Sequence, residues 1–184
     1  PTLRHTASSA ATILFEKTHF DMVRPGISVY GYWPSKETYL SYRLMGGSND
    51  LFVPPLSWKT RVTQIKRLAA DSFVGYGCTY RTSAPSRIAV LPVGYYDGYD
   101  RALSNRAHVL INGRRAPVRG RVCMDLMMVD TTHIKAVSYE NPVVLIGNDG
   151  GEAITADTLA DWAGTINYEI VARLSQSTPR KIVK

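Results

Sequence analysis

The most regular pattern along the chain is an alternation of apolar and polar side chains in residues 56–63, LSWKTRVT. One face of this segment holds Leu56, Trp58, Thr60 and Val62, and the other face holds Ser57, Lys59, Arg61 and Thr63. Because successive side chains of a β-strand point to opposite faces, the alternation predicts a half-buried strand.

Further strand patterns follow. Residues 87–93, RIAVLPV, form an apolar run of strand length, and residues 120–130 and 142–147 supply two more. Residues 108–118, HVLINGRRAPV, predict a hairpin, since Asn112-Gly113 tolerates the positive φ angles of a type I′ turn. The sequence therefore predicts a mostly antiparallel β domain, either a small barrel or a sandwich.

Helical patterns occur near both ends of the chain. Residues 5–16, HTASSAATILFE, suit a short helix with a hydroxyl residue near its start, because such side chains cap exposed amide groups. Close to the C-terminus, one helix is predicted between Thr155 as its cap and Gly164 at its end. A second follows over residues 167–175, NYEIVARLS, with Asn167 as its cap.

A linker separates the two types of pattern. Residues 46–50, GGSND, and Pro54-Pro55 interrupt regular structure between the helical N-terminal part and the first predicted strand. We therefore expect a domain boundary there, with one domain over residues 1–45 and a β domain over residues 46–184.

The composition is that of an ordinary globular protein. Apolar residues make up 45% and charged residues 20% of the 184 residues, and no apolar run approaches the roughly 18 residues of a membrane span. The N-terminus has no signal-peptide pattern and does not begin with Met, which is consistent with a piece of a longer chain.

The charge balance favours an anionic ligand. The formal net charge is +7, and 15 of the 22 basic residues are arginines. The basic residues are scattered, and the richest local set reads as strand positions: Arg114, Arg115, Arg119 and Arg121. Small anions such as phosphate and carboxylate therefore fit the charge as well as nucleic acid does.

The two cysteines give no metal or disulfide pattern. Cys78 and Cys123 have no His or Cys at metal-ligand spacing, so we expect neither a zinc site nor a disulfide framework. Reduced thiols indicate a cytoplasmic protein.

Four short segments are unusually rich in tyrosine and polar residues for a β domain: FVGYGCTY (73–80), LPVGYYDGYDR (91–101), GRVCMDLMM (120–128) and TINYEI (165–170). Taken singly, each has an ordinary structural explanation as strand, loop, core or helix start. In this order, with DMVRPGISVYG (21–31) upstream, they resemble the C-terminal part of alanine racemase, a fold-type III enzyme that uses pyridoxal phosphate (PLP).

The resemblance spans essentially all of the chain and implies its architecture. The family has an N-terminal (β/α)₈ barrel and a C-terminal antiparallel β domain, and works as a head-to-tail homodimer whose active sites take residues from both subunits. The fold class implied is mainly β, a barrel-like domain with short helices preceded by the tail of the (β/α)₈ barrel. Residues 1–45 would be that barrel tail and residues 46–184 the β domain.

The resemblance also implies cofactor-binding residues. Ser9, the backbone amides of Gly26 and Ile27, and the hydroxyl of Tyr168 match phosphate ligands of PLP. Arg24 matches the arginine that faces the pyridine nitrogen. Because a guanidinium group stays protonated, it donates a hydrogen bond to this nitrogen and gives it no proton, which favours racemisation over transamination.

Tyr76 matches the catalytic tyrosine, which handles the Cα proton on one face of the substrate. The group on the opposite face is, in the family, the lysine that forms the Schiff base with PLP, and it precedes residue 1 of this chain. No lysine of the chain lies in a matching context, so we expect the isolated chain to be inactive. The partner subunit would supply the complementary half of each site.

Substrate-binding residues follow from the same resemblance. The amide of Met124 is assigned to the substrate carboxylate, Asp125 matches a residue presented to the partner's site with its role left open, and Tyr95 matches an active-site tyrosine. If residues 124 and 125 lie in a regular strand, their side chains point opposite ways unless a bulge intervenes. Three further residues match positions that line the substrate corridor: Arg101, Arg121 and Ile166.

The implied function is interconversion of L- and D-alanine by two-base proton transfer, with PLP as cofactor, no metal, no nucleic acid and no membrane. Three alternatives stay open, one of which is a lone domain with a purely structural role. Another fold-type III PLP racemase or decarboxylase shares the chemistry. A basic β-barrel binding module would use the +7 charge on nucleic acid and bind with a steep salt dependence.

Overall fold

The computed structural model describes residues 2–48 and 51–183 and divides into two compact units, Pro1–Leu56 and Ser57–Lys184. Of the predicted linker, residues 49 and 50 lie outside the described residues. No helix in the described ranges is long and apolar enough to cross a membrane.

The first unit contains two helices, α1 (Ser9–Leu14) and α2 (Lys36–Leu44), and 3₁₀ turns at Glu16–Thr18 and Ile27–Tyr30. Helix α2 begins after Ser35, whose Oγ accepts a hydrogen bond from the Thr38 N–H at 3.2 Å, as a cap should.

Two segments of the first unit pair in parallel. The N–H of Asp21 donates to the carbonyl of Arg4 at 3.1 Å, and the N–H of Arg24 donates to the carbonyl of Ala7 at 2.8 Å. Both partners advance in the same chain direction from one bond to the next. Parallel pairing with a helix between the paired segments is the arrangement of neighbouring strands in a βα unit.

The second unit is mostly antiparallel β structure. Its strands are β1 (Trp58–Arg61), β2 (Gln64–Leu68), β3 (Phe73–Val74), β4 (Tyr80–Arg81), β5 (Ser86–Leu91), β6 (His108–Ile111), β7 (Arg114–Pro117), β8 (Met127–Asp130), β9 (Pro142–Asp149) and β10 (Glu152–Ile154). The largest sheet has the strand order β1-β9-β6-β7, and β10 also pairs with β9. A second sheet has the order β2-β5-β8, and β3 pairs with β4. Each strand pair is antiparallel. The predicted fold class is confirmed.

Several local predictions are confirmed. In β1, Trp58 is buried while Lys59 and Arg61 are exposed. The hairpin β6-β7 turns at Asn112 and Gly113 with φ of 52° and 69°, the positive values that a type I′ turn requires.

The two C-terminal helices are α3 (Ala156–Ala163) and α4 (Asn167–Ala172). Thr155 caps α3, and Gly164 ends it with a φ of 74°, as predicted. The predicted cap of α4 is wrong by one residue, because Ile166 is the N-cap and Asn167 is the first helical residue. The Asn167 side chain donates to the Asp157 carboxylate at 2.7 Å, which links α4 to α3.

Two predictions from strand periodicity are also wrong. The segment 120–130 is a strand only from Met127 onward, and Met124 and Asp125 form a bend. Arg114 and Arg115 lie in β7, but Arg119 and Arg121 lie outside the strands. The segment 119–126 is instead an irregular loop, which has consequences for the site.

The boundary after residue 45 stays a prediction that limited proteolysis can test. We expect the first cleavage between residues 45 and 55, because α2 ends at Leu44 and glycines and prolines follow. Mass spectrometry of early fragments measures the position. Initial cleavage inside the β unit instead would contradict the boundary.

Candidate active site

Tyr76 lies on a tight 3₁₀ turn, Tyr76–Cys78, between β3 and β4. Gly75, directly before the turn, has a positive φ of 76°, and so do Gly77 (70°) and Cys78 (49°) within it. Such backbone angles are readily adopted by glycine, so the sequence GYGC permits a turn that an ordinary strand connection would not. Tyr76 is 75% exposed.

The Tyr76 turn packs against residues 120 and 121. A Cβ on Gly120 would lie 2.5 Å from the Val74 carbonyl oxygen, and a Cβ on Gly77 would lie 3.1 Å from the Arg121 Cζ. The absence of these two Cβ atoms allows the backbones to approach and leaves room for the Arg121 guanidinium beside the turn. Arg121 is therefore held next to Tyr76.

A second loop, residues 123–126, pairs with the turn that carries Tyr95. The N–H of Tyr95 donates to the Cys123 carbonyl and the N–H of Tyr96 donates to the Met124 carbonyl, both at 3.0 Å. A Cβ on Gly94 would lie 2.2 Å from each of these two carbonyl oxygens. The two segments are thus joined through backbone atoms at a position where only glycine fits.

Replacing Gly94 by Ala is expected to destabilise the protein by about 3 kcal/mol, because the clash is with fixed backbone oxygens and resembles overpacking of a core. Thermal unfolding of the purified variant measures the effect. Gly164→Ala is the matched control, since Gly164 has a positive φ but open space around its Cβ position. A Gly94 variant as stable as the Gly164 variant would contradict the close approach.

These segments surround a surface cavity of about 480 Å³. Its lining comprises Tyr76, Tyr95, Arg101, Arg121, Val122, Cys123, Met124, Asp125 and Leu126. The structure therefore brings together four predicted site residues of the β unit and two of the three predicted corridor residues. Met124 and Asp125 lie in a bend and not in a regular strand, so their side chains need not point to opposite faces. Both residues are exposed and line the same cavity.

The polar groups of the cavity suit an anion. Among the residues that the structure describes, the Met124 N–H donates to no protein acceptor, and neither Arg101 nor Arg121 has an ion-pair partner. Asp125 contributes the one carboxylate of the lining. A carboxylate ligand could therefore accept from the Met124 amide beside two unpaired guanidinium groups.

Cys123 was not predicted as a site residue, yet it lines the cavity. Burial raises the pKa of its thiol, and the positive charge of Arg101 opposes this shift. The signal available in the sequence was only its place directly before Met124.

Tyr168 and Ile166 lie at the start of α4 and do not line this cavity. Burial raises the pKa of the Tyr168 hydroxyl, which keeps it protonated and able to donate a hydrogen bond. The end of α4 is tied to the Tyr95 region, since Arg173 forms an ion pair with Asp100.

The predicted phosphate ligands of the first unit form a separate cluster. Ser9 is buried, and its Oγ accepts from the Gly26 N–H at 2.8 Å, from the Ser28 N–H at 3.4 Å and from the Ser28 hydroxyl at 3.1 Å. The Ile27 N–H donates to no protein acceptor within the described residues. Ser28 was missed, and its only sequence signal is its place directly after Gly26-Ile27.

Arg24 is exposed, and its N–H donates to the Ala7 carbonyl two residues before Ser9. The cluster and Arg24 thus belong to adjacent paired segments. Across the described ranges, no group of three or more His, Cys, Asp or Glu side chains could hold a metal ion.

Comparison with known proteins agrees with this arrangement. The family model described as "Alanine racemase, C-terminal domain" matches residues 55–182, and "Alanine racemase, N-terminal domain" matches residues 1–34. The alanine racemase of Leptospira interrogans is 50% identical over 181 residues, which cover 98% of this chain and 46% of that protein.

Solved structures are similar as well. The Bacillus anthracis alanine racemase with bound L-Ala-P has a TM-score of 0.84 at 40% identity, covering 95% of this chain and 43% of that one. The Bartonella henselae alanine racemase with covalently bound pyridoxal phosphate has a TM-score of 0.80 at 30% identity, and the match covers 96% of this chain and 46% of that one.

The β unit with its tyrosine- and arginine-lined cavity is thus the C-terminal domain of a class of amino-acid racemases. The chain belongs to the alanine racemase family. It spans about half the length of the curated relatives that it matches.

Proposed function

We propose that this chain is the C-terminal portion of a PLP-dependent alanine racemase that interconverts L- and D-alanine. The cavity that joins Tyr76, the Met124 N–H and two arginines carries the proposal, because it combines a proton-handling group with donors for a carboxylate. Within this proposal, residues 1–45 are the tail of a (β/α)₈ barrel and residues 46–184 are the β domain. The parallel pairing of residues 4–7 with 21–24 supports the barrel assignment.

The residues of the Ser9 cluster fit the phosphate of PLP. Two N–H groups and one hydroxyl converge on a single oxygen, Ser9 Oγ, and convergent donors of this kind also bind phosphate oxygens. The Ile27 N–H adds a donor that has no protein acceptor among the residues that the structure describes. We assign phosphate binding in the first unit to Ser9, Gly26 and Ile27, and we add Ser28. For Tyr168, a phosphate-binding role is what the family resemblance implies.

When bound, PLP withdraws electrons from the substrate and makes its Cα proton acidic. In this proposal Arg24 would donate a hydrogen bond to the pyridine nitrogen, and because its guanidinium stays protonated it would not transfer the proton. An arginine at this position would therefore favour return of the proton to Cα over transamination.

The cavity residues hold the substrate and move the proton. The Met124 N–H binds the substrate carboxylate, and the positive charge of Arg101 and Arg121 attracts it. On one face of the substrate, the Tyr76 oxygen would accept the Cα proton as the phenolate and, once protonated, would return a proton as the hydroxyl. In the proposed enzyme, a lysine upstream of this chain handles the proton on the opposite face of the substrate. Tyr95 lines the cavity that contains Tyr76.

The proposed assembly is a head-to-tail homodimer in which Tyr76 serves the active site of the partner subunit. Mixed dimers test it. A Tyr76→Phe subunit is combined with a subunit that lacks the barrel lysine, and each variant alone forms inactive homodimers.

Racemase activity of the mixed dimer is the expected result, because one of its two sites then holds an intact lysine and an intact Tyr76. Sites built within a single subunit predict no activity in the mixture. The control is a wild-type dimer whose subunits are separated and recombined by the same procedure as the mixed dimer.

A cytoplasmic location also belongs to the proposal. Both cysteines are free in the structure, and Cys78 is exposed. An exposed free thiol suits a reducing compartment.

A further inference from the structure

Asn105 connects the two loops that form the cavity. Its side-chain Oδ1 accepts a hydrogen bond from the Gly120 N–H at 2.6 Å, and its Nδ2 donates to the carbonyl oxygen and the hydroxyl of Thr79, each at 3.3 Å. Thr79 directly follows the Tyr76 turn, and Gly120 directly precedes Arg121. One amide group therefore bridges the Tyr76 turn and the loop that leads to Met124.

The backbone around Asn105 is itself fixed. Asn105 has a φ of 59°, a left-handed conformation that asparagine tolerates better than most residues. The preceding Ser104 accepts from the Val122 N–H at 2.9 Å through its Oγ, and Leu103 is buried with 1% exposure. The corner formed by residues 103–105 is thus anchored in the core and hydrogen-bonded to the outer loops.

The Tyr76 turn needs such support. The Tyr76 side chain is exposed and makes no hydrogen bond within the described residues, so the backbone of the turn sets the direction in which the side chain leaves it. On one side the turn rests on Gly120 and Arg121. On its C-terminal side, the Asn105 amide provides the hydrogen bonds that hold Thr79.

We propose that Asn105 is a positioning residue for Tyr76, acting through Thr79 and Gly120. The inference rests on the proposed function, in which Tyr76 handles the Cα proton on one face of the substrate. Asn105 touches neither substrate nor cofactor in this role. It fixes the distance between the tyrosine turn and the Met124 loop, so that the hydroxyl and the carboxylate-binding amide act on the same substrate molecule.

Three variants of the full-length enzyme test the proposal. Asn105→Gly removes the side chain without straining the positive φ, and Asn105→Asp keeps the acceptor for the Gly120 N–H but loses the donor to Thr79. The matched control is Asn112→Gly. Asn112 also has a positive φ and side-chain hydrogen bonds, to the Lys135 carbonyl and from Asn141, but lies in the β6-β7 turn.

The readouts are kcat, KM and Cα deuterium exchange of each alanine enantiomer, with amide hydrogen exchange of residues 74–80. For Asn105→Gly we expect kcat and the exchange that requires Tyr76 to fall about 10- to 100-fold, as for a misplaced reacting group. KM and the exchange handled by the lysine change little. For Asn105→Asp, we expect kcat and the Tyr76-dependent exchange rate to lie between those of wild type and Asn105→Gly. For Asn112→Gly, we expect both values to equal those of wild type.

The proposal is overturned if Asn105→Gly slows the Cα deuterium exchange of both alanine enantiomers equally. It is also overturned if the loss of activity is no larger than in Asn112→Gly. Faster amide exchange at residues 74–80 without a selective loss of the Tyr76-dependent exchange also overturns it, because Asn105 is then only a structural link. Tyr76→Phe serves as the reference for the proposed function. If that variant keeps both exchanges, the proposed function fails, and the failure is visible independently of Asn105.

Discussion

Tyr76→Phe in the complete enzyme is expected to lower racemase activity by about 10²- to 10⁴-fold, the usual cost of losing a general acid or base. The substitution removes the hydroxyl and keeps the ring. Because the hydroxyl is exposed and makes no hydrogen bond in the described residues, folding and cofactor binding should be unaffected. Racemisation rates in both directions measure the loss.

The loss should differ between the two substrate faces. Deuterium exchange at Cα should fail for the enantiomer that Tyr76 serves, which family resemblance makes L-alanine, and should partly persist for the other enantiomer. Tyr139→Phe is the matched control, since Tyr139 is 67% exposed and does not line the cavity. Near-normal racemisation, or equal exchange of both enantiomers, would show that Tyr76 has only a packing role.

The 184-residue chain produced alone is expected to show no racemase activity and no covalent PLP adduct. Both effects have one cause, because the lysine that binds the cofactor and serves the second face precedes residue 1 in the proposed enzyme. Borohydride reduction followed by peptide mass spectrometry detects an adduct, and a coupled assay detects turnover.

The complete enzyme treated in the same way is the control for this experiment. A reduced adduct on one of the seven lysines of this chain, together with turnover, would show that the chain carries its own cofactor-binding lysine. That result would mean that the second proton-handling group is a lysine of this chain.

The regular elements of the β unit could be predicted because their signals are local. The alternation around Trp58 and the Asn112-Gly113 turn are each specified by neighbouring residues, and the structure confirms them. Thr155 and Gly164 likewise mark the limits of α3. In each case the pattern and the backbone preference agree.

The shape of the site could not be predicted in this way. Strand periodicity continues through residues 120–130, but the backbone bends at Met124 because the Tyr95 turn supplies hydrogen bonds to the Cys123 and Met124 carbonyls. These partners are about 30 residues apart in sequence, so nothing near Met124 signals the bend. Asn105 and Ser28 were missed for the same reason, since their contacts are formed only in the folded chain.

The unpaired Met124 N–H has a consequence for inhibition. Every amino acid except proline carries a backbone N–H, so most point mutations at position 124 leave this donor in place. A ligand whose acceptor binds the Met124 N–H would therefore contact a group that a change of the side chain leaves in place. Moving this donor requires a shift of the loop itself, and the close approach of Gly94 to the carbonyl oxygens of Cys123 and Met124 leaves little room for one.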